Sequence, residues 1–262
     1  MDFRNIYDIY YSCDNFYKFA KKKDKCFYKR IFDDCMSPGT QKKLSNYKFD
    51  LGIIDVPYGS RITKKDWDKN VHTDWFVDIL NMLSIHIKKG GSCYFFGGIG
   101  KYKDRPFYEL GSKLEEKTPW RIYDHITWGK KRFIGSPYKY GFAREEIFFL
   151  VNDNERPKTF NIPLLDKLRG YEGFNKKYPA KSPYLRRTNV WSDISEIINP
   201  KERVHVCQKP FPLLKIIIEA SSNPGDIVLD TFAGSFSTEN ACRKLGRSCV
   251  SVEKEKDSIK NK

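Results

Sequence analysis

A chain of 262 residues with 40% hydrophobic and 15% aromatic content can bury a sizeable core, which excludes a disordered protein and fits one domain with an inserted segment. Its net charge of +15 and pI near 9.3 favour a polyanionic partner, nucleic acid first and an anionic membrane surface second. Seven scattered cysteines without a Cys-x-x-Cys pair fit reduced thiols and give no zinc signature, so no metal is expected.

The start, Met1-Asp2-Phe3-Arg4-Asn5, lacks the basic and then apolar order of a signal peptide, and no stretch approaches the roughly 18 apolar residues of a membrane span. A cytoplasmic protein with no membrane partner is the expectation. Aromatic residues fill positions 1–24, with a short helix expected over 14–22, where Lys21-Lys22-Lys23 reads as a solvated face. Cys26 to Phe32 alternates as a strand and ends in Asp33-Asp34-Cys35. An acid just past a strand either accepts hydrogen bonds from a ligand or caps the next helix.

Leu51 to Ile54 reads as a buried strand delivering Asp55, Val56, Pro57 and Tyr58 to its carboxyl end, the end at which open α/β sheets bind ligands. An acid, a backbone carbonyl and an aromatic ring suit the holding of a planar, amino-bearing base: Asp55 and Val56 accept the two amine hydrogens, and Tyr58 stacks. An ordinary strand-to-loop turn is the alternative. A polar loop with Trp67-Asp68 follows. A helix is then expected over 73–88, stopped by Gly90-Gly91, with a strand from Ser92 to Phe96. A helix over 106–117 and strands over 121–128 and 145–151 continue an α/β pattern.

From Arg156 to Trp191 nine Lys/Arg stand against two Asp/Glu, interleaved with Phe160, Tyr171, Phe174, Tyr178, Tyr184 and Trp191. Cations for phosphates and rings for bases mark a nucleic-acid contact segment, with Lys176, Lys177, Tyr184, Arg186 and Arg187 as candidates. A solvated loop would carry both signs of charge. In the last third, His205-Val-Cys-Gln208-Lys209-Pro210 leads into an apolar helix from Leu213 to Ala220. Ile227 to Asp230 is a strand, and Thr231-Phe232-Ala233-Gly234-Ser235-Phe236 opens a helix reaching Leu245. Ser248 to Val252 is a strand ending at Glu253. This β-α-β unit has a small-residue turn, a helix amino terminus and an acid about 20 residues on, the arrangement of nucleotide-binding folds.

Taken together, the Asp-Val-Pro-Tyr corner, the His-x-x-Gln-Lys-Pro helix start and the Asp-x-Phe-x-Gly-Ser turn resemble an amino-group DNA methyltransferase of the permuted, β-type motif order. The resemblance runs from about Cys26 to Glu253. It implies a Rossmann-like α/β fold with a mostly parallel seven-stranded sheet, and S-adenosylmethionine as cofactor. It also implies methyl transfer to the N6 amine of a flipped adenine in double-stranded DNA. By the same resemblance Asp55, Val56, Pro57 and Tyr58 form the catalytic corner. Phe232, Ala233, Gly234 and Ser235, with Asp230 supporting the turn, surround the cofactor. Glu253 holds its ribose, Asp34 approaches its adenine, and Lys209-Pro210 lie beside its methionine part.

The implied layout is a catalytic half over 1–151, a recognition segment over 152–195 and a cofactor half over 196–262, with Cys26–Phe32 supplying the strand that must follow Glu253. A homodimer is compatible with this layout. Rival readings are the same enzyme class acting on cytosine N4 or on RNA, and a DNA-binding protein of this fold without cofactor binding. Phe236 stands where the family has glycine. If its backbone is left-handed, the β-carbon costs roughly 1–2 kcal/mol, and the ring is expected to crowd the cofactor.

Overall fold

The computed structural model describes residues 25–58, 71–98, 105–168, 182–199 and 208–256. The helix expected over 14–22, Trp67-Asp68, Lys176, Lys177 and His205 lie outside the described residues.

In chain order the elements are β1 (Tyr28–Phe32), α1 (Pro38–Leu44), β2 (Phe49–Asp55), α2 (Thr73–His86), β3 (Ile87–Gly97), α3 (Pro106–Lys117), β4 (Trp120–Ser136) and β5 (Lys139–Asn152). There follow β6 (Leu164–Leu168), β7 (Tyr184–Arg186), β8 (Val190–Trp191), α4 (Phe211–Ser221), β9 (Ile227–Asp230), α5 (Ser237–Leu245) and β10 (Ser248–Glu253).

An eight-stranded sheet runs in the order β1-β10-β9-β2-β3-β5-β4-β8. Only β5 opposes the common direction, pairing antiparallel with β3 and β4. Seven strands carry the expected mostly parallel sheet, and the two-residue β8 adds an eighth at the edge beside β4. As expected from the permuted order, β1 lies beside β10, from Tyr28↔Cys249 to Phe32↔Glu253. Strands from the first and last parts of the chain therefore share one hydrogen-bonded sheet.

Both sheet faces are apolar and covered. In α2 the buried residues Phe76, Ile79, Leu80 and Leu83 follow helical spacing and join Phe95, Phe107 and Leu114 on one face. On the other face α4 and α5 pack Leu214, Ile218 and Cys242 against Leu51, Tyr94 and Phe149. Burial of Trp120 and Trp128 leaves neither indole N–H unpaired. Trp120 Nε1 donates to the Leu80 carbonyl at 2.7 Å, and Trp128 Nε1 to that of Ile194 at 2.8 Å. Among the described residues no helix is long and apolar enough to cross a membrane, and no group of three or more His, Cys, Asp or Glu could hold a metal ion.

Two boundaries differ from the sequence reading. The helix over 73–88 stops at His86, and Gly90-Gly91 lie inside β3 instead of ending a helix. Phe49 pairs with Ile87 whereas Leu51 pairs with Ser92, so the intervening residues bulge out of register and Gly90, at φ 73°, takes the left-handed turn. Strands β4 and β5 also run well past 121–128 and 145–151, extending the hairpin to Ser136 and Lys139. Its outer part has exposed Phe133, Tyr138 and Tyr140, so the alternation that reveals half-buried strands is lost there.

Candidate active site

Strands β9 and β2 are neighbours at the middle of the sheet, and the chain leaves them in opposite directions. From β9 it crosses through α5 to β10, and from β2 through α2 to β3. That reversal opens a crevice at their carboxyl ends, the usual ligand position in such sheets. Asp230 and Asp55 terminate these two strands.

Asp55 is engaged at both oxygens. Tyr58 Oη donates to its Oδ1 at 2.7 Å, and Lys209 Nζ lies 2.6 Å from Oδ2. Lys209, only 7% exposed, also lies 3.2 Å from Glu145 Oε2 and 4.9 Å from the Phe96 ring centroid. Tyr58 Oη is 3.3 Å from the same Glu145 oxygen. Lys130, at the root of the β4–β5 hairpin, pairs with Glu145 Oε1. Burial alone would raise the Glu145 carboxyl, but Lys209 and Lys130 outweigh it and hold the group below its ordinary value. Val56 is buried, its side chain part of the core. Gly98 follows from Tyr58: a β-carbon there would come 2.9 Å from the Tyr58 ring.

The turn after β9 is folded by its own polar groups. The Phe232 amide donates to Asp230 Oδ1 at 3.0 Å, and the Gly234 amide to Glu253 Oε2 at 2.6 Å. Gly234 adopts φ 47° and Phe236 φ 57°, ψ 31°, so the left-handed backbone suspected at Phe236 is present. The Phe236 ring does not line an open surface. It is 1% exposed, under the Arg30 guanidinium at 4.1 Å and edge-on to Phe32 at 6.0 Å. Burial raises Asp230 to a pKa of about 7, with the charges of Asp55 and Glu253 adding to it and hydrogen bonds from Thr238 and the Phe232 amide opposing it. Thr231 Oγ1 is buried without a hydrogen-bond partner, leaving this turn a polar group unanswered by protein. Asp34, two positions past the end of β1, accepts from Lys254 at 2.9 Å and from the Met36 amide at 2.9 Å.

Sequence reading thus gathered Asp55, Tyr58, Asp230 to Ser235, Glu253 and Asp34 at one end of the sheet, and the fold brings them there. Lys209, expected beside a cofactor's methionine part, reaches Asp55 at the end of β2. The candidate DNA contacts divide. Arg186 is exposed and Tyr184 partly buried on the small β6–β7 sheet, while Arg187 forks onto Asp193 at 2.7 and 2.8 Å. Two features were missed: Glu145 as the anion shared by Lys209, Lys130 and Tyr58, and the exposed hairpin tip. Positions 129–144 carry five Lys/Arg and no acid besides flanking Glu145, a compositional signal as plain as that of 156–191.

A mostly parallel α/β sheet with an acidic corner and a glycine-bearing turn on either side of its switch point defines a Rossmann-like ligand-binding architecture. A profile of the DNA methylase family matches residues 49–261. The chain belongs to that family of enzymes. It is 31% identical over 238 residues to the DNA adenine methyltransferase YhdJ of Escherichia coli (strain K12), covering 84% of this chain and 76% of the relative. Similarity to type II methyltransferase M1.MboII of Moraxella bovis is 29% over 246 residues, covering 80% and 86%. The M1.HpyAVI–SAM complex shares the fold at a TM-score of 0.61 and 23% identity, covering 88% of this chain and 95% of that one. The cytosine-N4-specific PvuII DNA methyltransferase does so at 0.63 and 16%, covering 88% and 85%.

Proposed function

We propose that this protein methylates the exocyclic N6 amine of adenine in double-stranded DNA, using S-adenosylmethionine. The observation that carries the reading is the Asp55 carboxylate, held at the switch point by Tyr58 and Lys209 and near enough to Asp230 for its charge to raise that group. The names of the relatives in Escherichia coli and Moraxella bovis, and aspartate at the first position of the corner, favour adenine over cytosine.

The turn suits the cofactor through its unanswered Thr231 hydroxyl, its left-handed Gly234 and the carboxylates of Glu253 and Asp34. Phe232 to Ser235 would surround it, with Glu253 on the ribose and Asp34 toward the adenine. The cofactor would supply a sulfonium-bound methyl group, the S–C bond breaking as the N–C bond forms and a thioether remaining.

An aromatic amine is a weak nucleophile because its lone pair is delocalised into the ring. Asp55 and the Val56 carbonyl accept its two hydrogens and draw them out of the ring plane, localising that pair, while Tyr58 stacks on a base taken out of the duplex. Asp55 is also the nearest acceptor for the proton that the methylated amine sheds. DNA approaches the carboxyl edge of the sheet beside the β4–β5 hairpin, whereas residues 156–161 of the basic segment lie at the opposite edge, where the Lys158 amide donates to the Gly90 carbonyl and the Asn161 amide to that of Ala220.

Transfer of labelled methyl from S-adenosylmethionine to DNA, followed by nucleoside analysis, tests this reading. N6-methyladenine is expected. N4-methylcytosine would move the enzyme to its sister specificity, and no labelled nucleoside would leave only the RNA-directed and DNA-binding rivals.

A further inference from the structure

Resting on that reading, the arrangement around Asp55 contains a conflict that one further residue resolves. The target amine needs an Asp55 oxygen, and although each can take a second hydrogen bond, Tyr58 on Oδ1 at 2.7 Å and the Lys209 ammonium on Oδ2 at 2.6 Å already draw on the negative charge that the amine must meet. Lys209 cannot simply turn to water: it is 7% exposed, and a buried ammonium displaced without a new acceptor costs the full desolvation of that group.

Glu145 Oε2 lies within reach of both. It stands 3.2 Å from Lys209 Nζ and 3.3 Å from Tyr58 Oη, on β5, two strands from β2 on the same side of the switch point. Its charge is maintained at neutral pH because Lys209 and Lys130 overcome the effect of burial. Lys130 pairs with the other oxygen, Oε1, so Oε2 stays turned to Lys209 and Tyr58.

We propose that Glu145 is a positioning residue for methyl transfer, receiving the Lys209 ammonium and the Tyr58 hydroxyl as the target amine takes their place on Asp55. Lys209 then has two stations 2.6 and 3.2 Å away, so the exchange needs a shift of its terminal ammonium only. With the Oε2 charge removed, Lys209 loses the second station and stays on Asp55, competing with substrate at the one atom the reaction needs. The consequence falls on the chemical step and spares cofactor binding, since Glu145 belongs to β5 and the turn after β9 is built without it.

The test is single-turnover transfer of labelled methyl to DNA with wild type, Glu145→Gln, Glu145→Asp, Lys209→Gln and Glu145→Gln/Lys209→Gln, each first checked for S-adenosylmethionine binding. Glu145→Gln should lower the rate constant by about 100-fold, the scale of a misplaced reacting group, with cofactor affinity and half-saturating DNA within a few-fold. Glu145→Asp should restore part of the rate. The double variant should be faster than Glu145→Gln alone, because removing Lys209 frees Asp55. A wild-type rate in Glu145→Gln, or a double variant slower by the product of the two single losses, would overturn the proposal. Should Glu145→Gln not fold, Glu145→Asp against the double variant carries the same comparison. Absence of transfer by wild-type protein would instead count against the methyltransferase reading itself.

Discussion

Lys209 Nζ lies 2.6 Å from Asp55 Oδ2 although 154 residues separate them in sequence. The contact ties the strand end of β2 to the segment that opens α4, and thereby joins early and late parts of the chain at the candidate site. Two carboxylates, Asp55 and Glu145, share this one ammonium in a nearly dry place. Removing it leaves both with less compensation.

Lys209→Met should therefore destabilise the protein by about 3–5 kcal/mol at neutral pH, the usual loss on breaking a buried ion pair from one side. The sign of the pH dependence follows from Glu145. Its pKa in the folded wild type is depressed, so its stabilising contribution is present above the unfolded value and disappears as pH falls through the folded value. Urea denaturation from pH 7 downward should show the wild-type advantage shrinking through and below the ordinary carboxylate range. A gap independent of pH would mean the loss came from packing of the lysine stem.

Asp230 behaves in the opposite sense. Burial raises it to about 7, well above an unfolded aspartate near 3.9, so the folded state binds the extra proton between these values. Wild-type stability should fall as pH rises through that window and level off above it. The decline amounts to roughly 4 kcal/mol at 1.36 kcal/mol per unit. Asp230→Asn, which mimics the protonated acid, should gain on wild type over the same window. Parallel denaturation curves from pH 5 to pH 8 would show that Asp230 stays charged in the folded protein.

Much of this site is legible in the sequence because its parts are local. The Asp55 corner, the 230–236 turn and Glu253 are short stretches at strand ends, and strand ends are marked by apolar runs and turn residues. The pairing of β1 with β10 was legible too, from the permuted motif order that places Cys26–Phe32 next to the strand ending at Glu253. What escaped was set by contacts between distant segments. Nothing local says that Lys209 reaches Asp55, or that Glu145 receives Lys130 as well. The hairpin escaped for a different reason: beyond the sheet both of its faces meet solvent, so no apolar period marks it.

Phe236 shows how tertiary packing overrides a local preference. Its left-handed backbone costs about 1–2 kcal/mol, but truncating a buried phenylalanine costs about 3–5 kcal/mol. Phe236→Gly should thus lose about 2 kcal/mol net, read as a lower denaturation midpoint. With the ring buried beneath Arg30, S-adenosylmethionine affinity should stay within a few-fold. Clear tightening of cofactor binding in Phe236→Gly would restore the crowding expected from sequence.

DNA binding can be dissected by salt dependence. Exposed Lys131 and Arg186 should act on phosphates, and Lys131→Ala and Arg186→Ala should weaken binding on all sequences, flattening the salt slope by about 0.9 log unit for each phosphate no longer neutralised. Tyr140, 98% exposed, buries almost nothing in the free protein, so Tyr140→Ala should leave stability unchanged and cost DNA affinity, about 1–3 kcal/mol for a stacking ring. Arg187→Ala should do the reverse. Its guanidinium is bound to Asp193, so stability falls while the slope holds. If Arg187→Ala flattened the slope and Lys131→Ala did not, DNA would lie on the β6–β7 side of the protein, away from the hairpin.

The sharpest prediction concerns Asp55 and Tyr58. If Asp55 accepts the target amine, Asp55→Ala should abolish methyl transfer while leaving S-adenosylmethionine affinity within a few-fold, because the cofactor turn is held by Asp230 and Glu253. The lost interaction strengthens as the amine becomes pyramidal, so the deficit belongs in the single-turnover rate constant and not in the Michaelis constant. Asp55→Asn should do less damage to the amine contact, keeping one oxygen acceptor, but it weakens the hold on Lys209 and should remain well below wild type. Tyr58→Ala loses both the stacking surface, worth roughly 1–3 kcal/mol, and the donor to Asp55 Oδ1. Tyr58→Phe keeps the ring, so the difference between the two variants isolates stacking from the hydroxyl. Rapid-quench transfer of labelled methyl to duplex DNA measures all four. Full activity in Asp55→Ala would reduce the corner to a turn and remove the basis for assigning the chemistry to it.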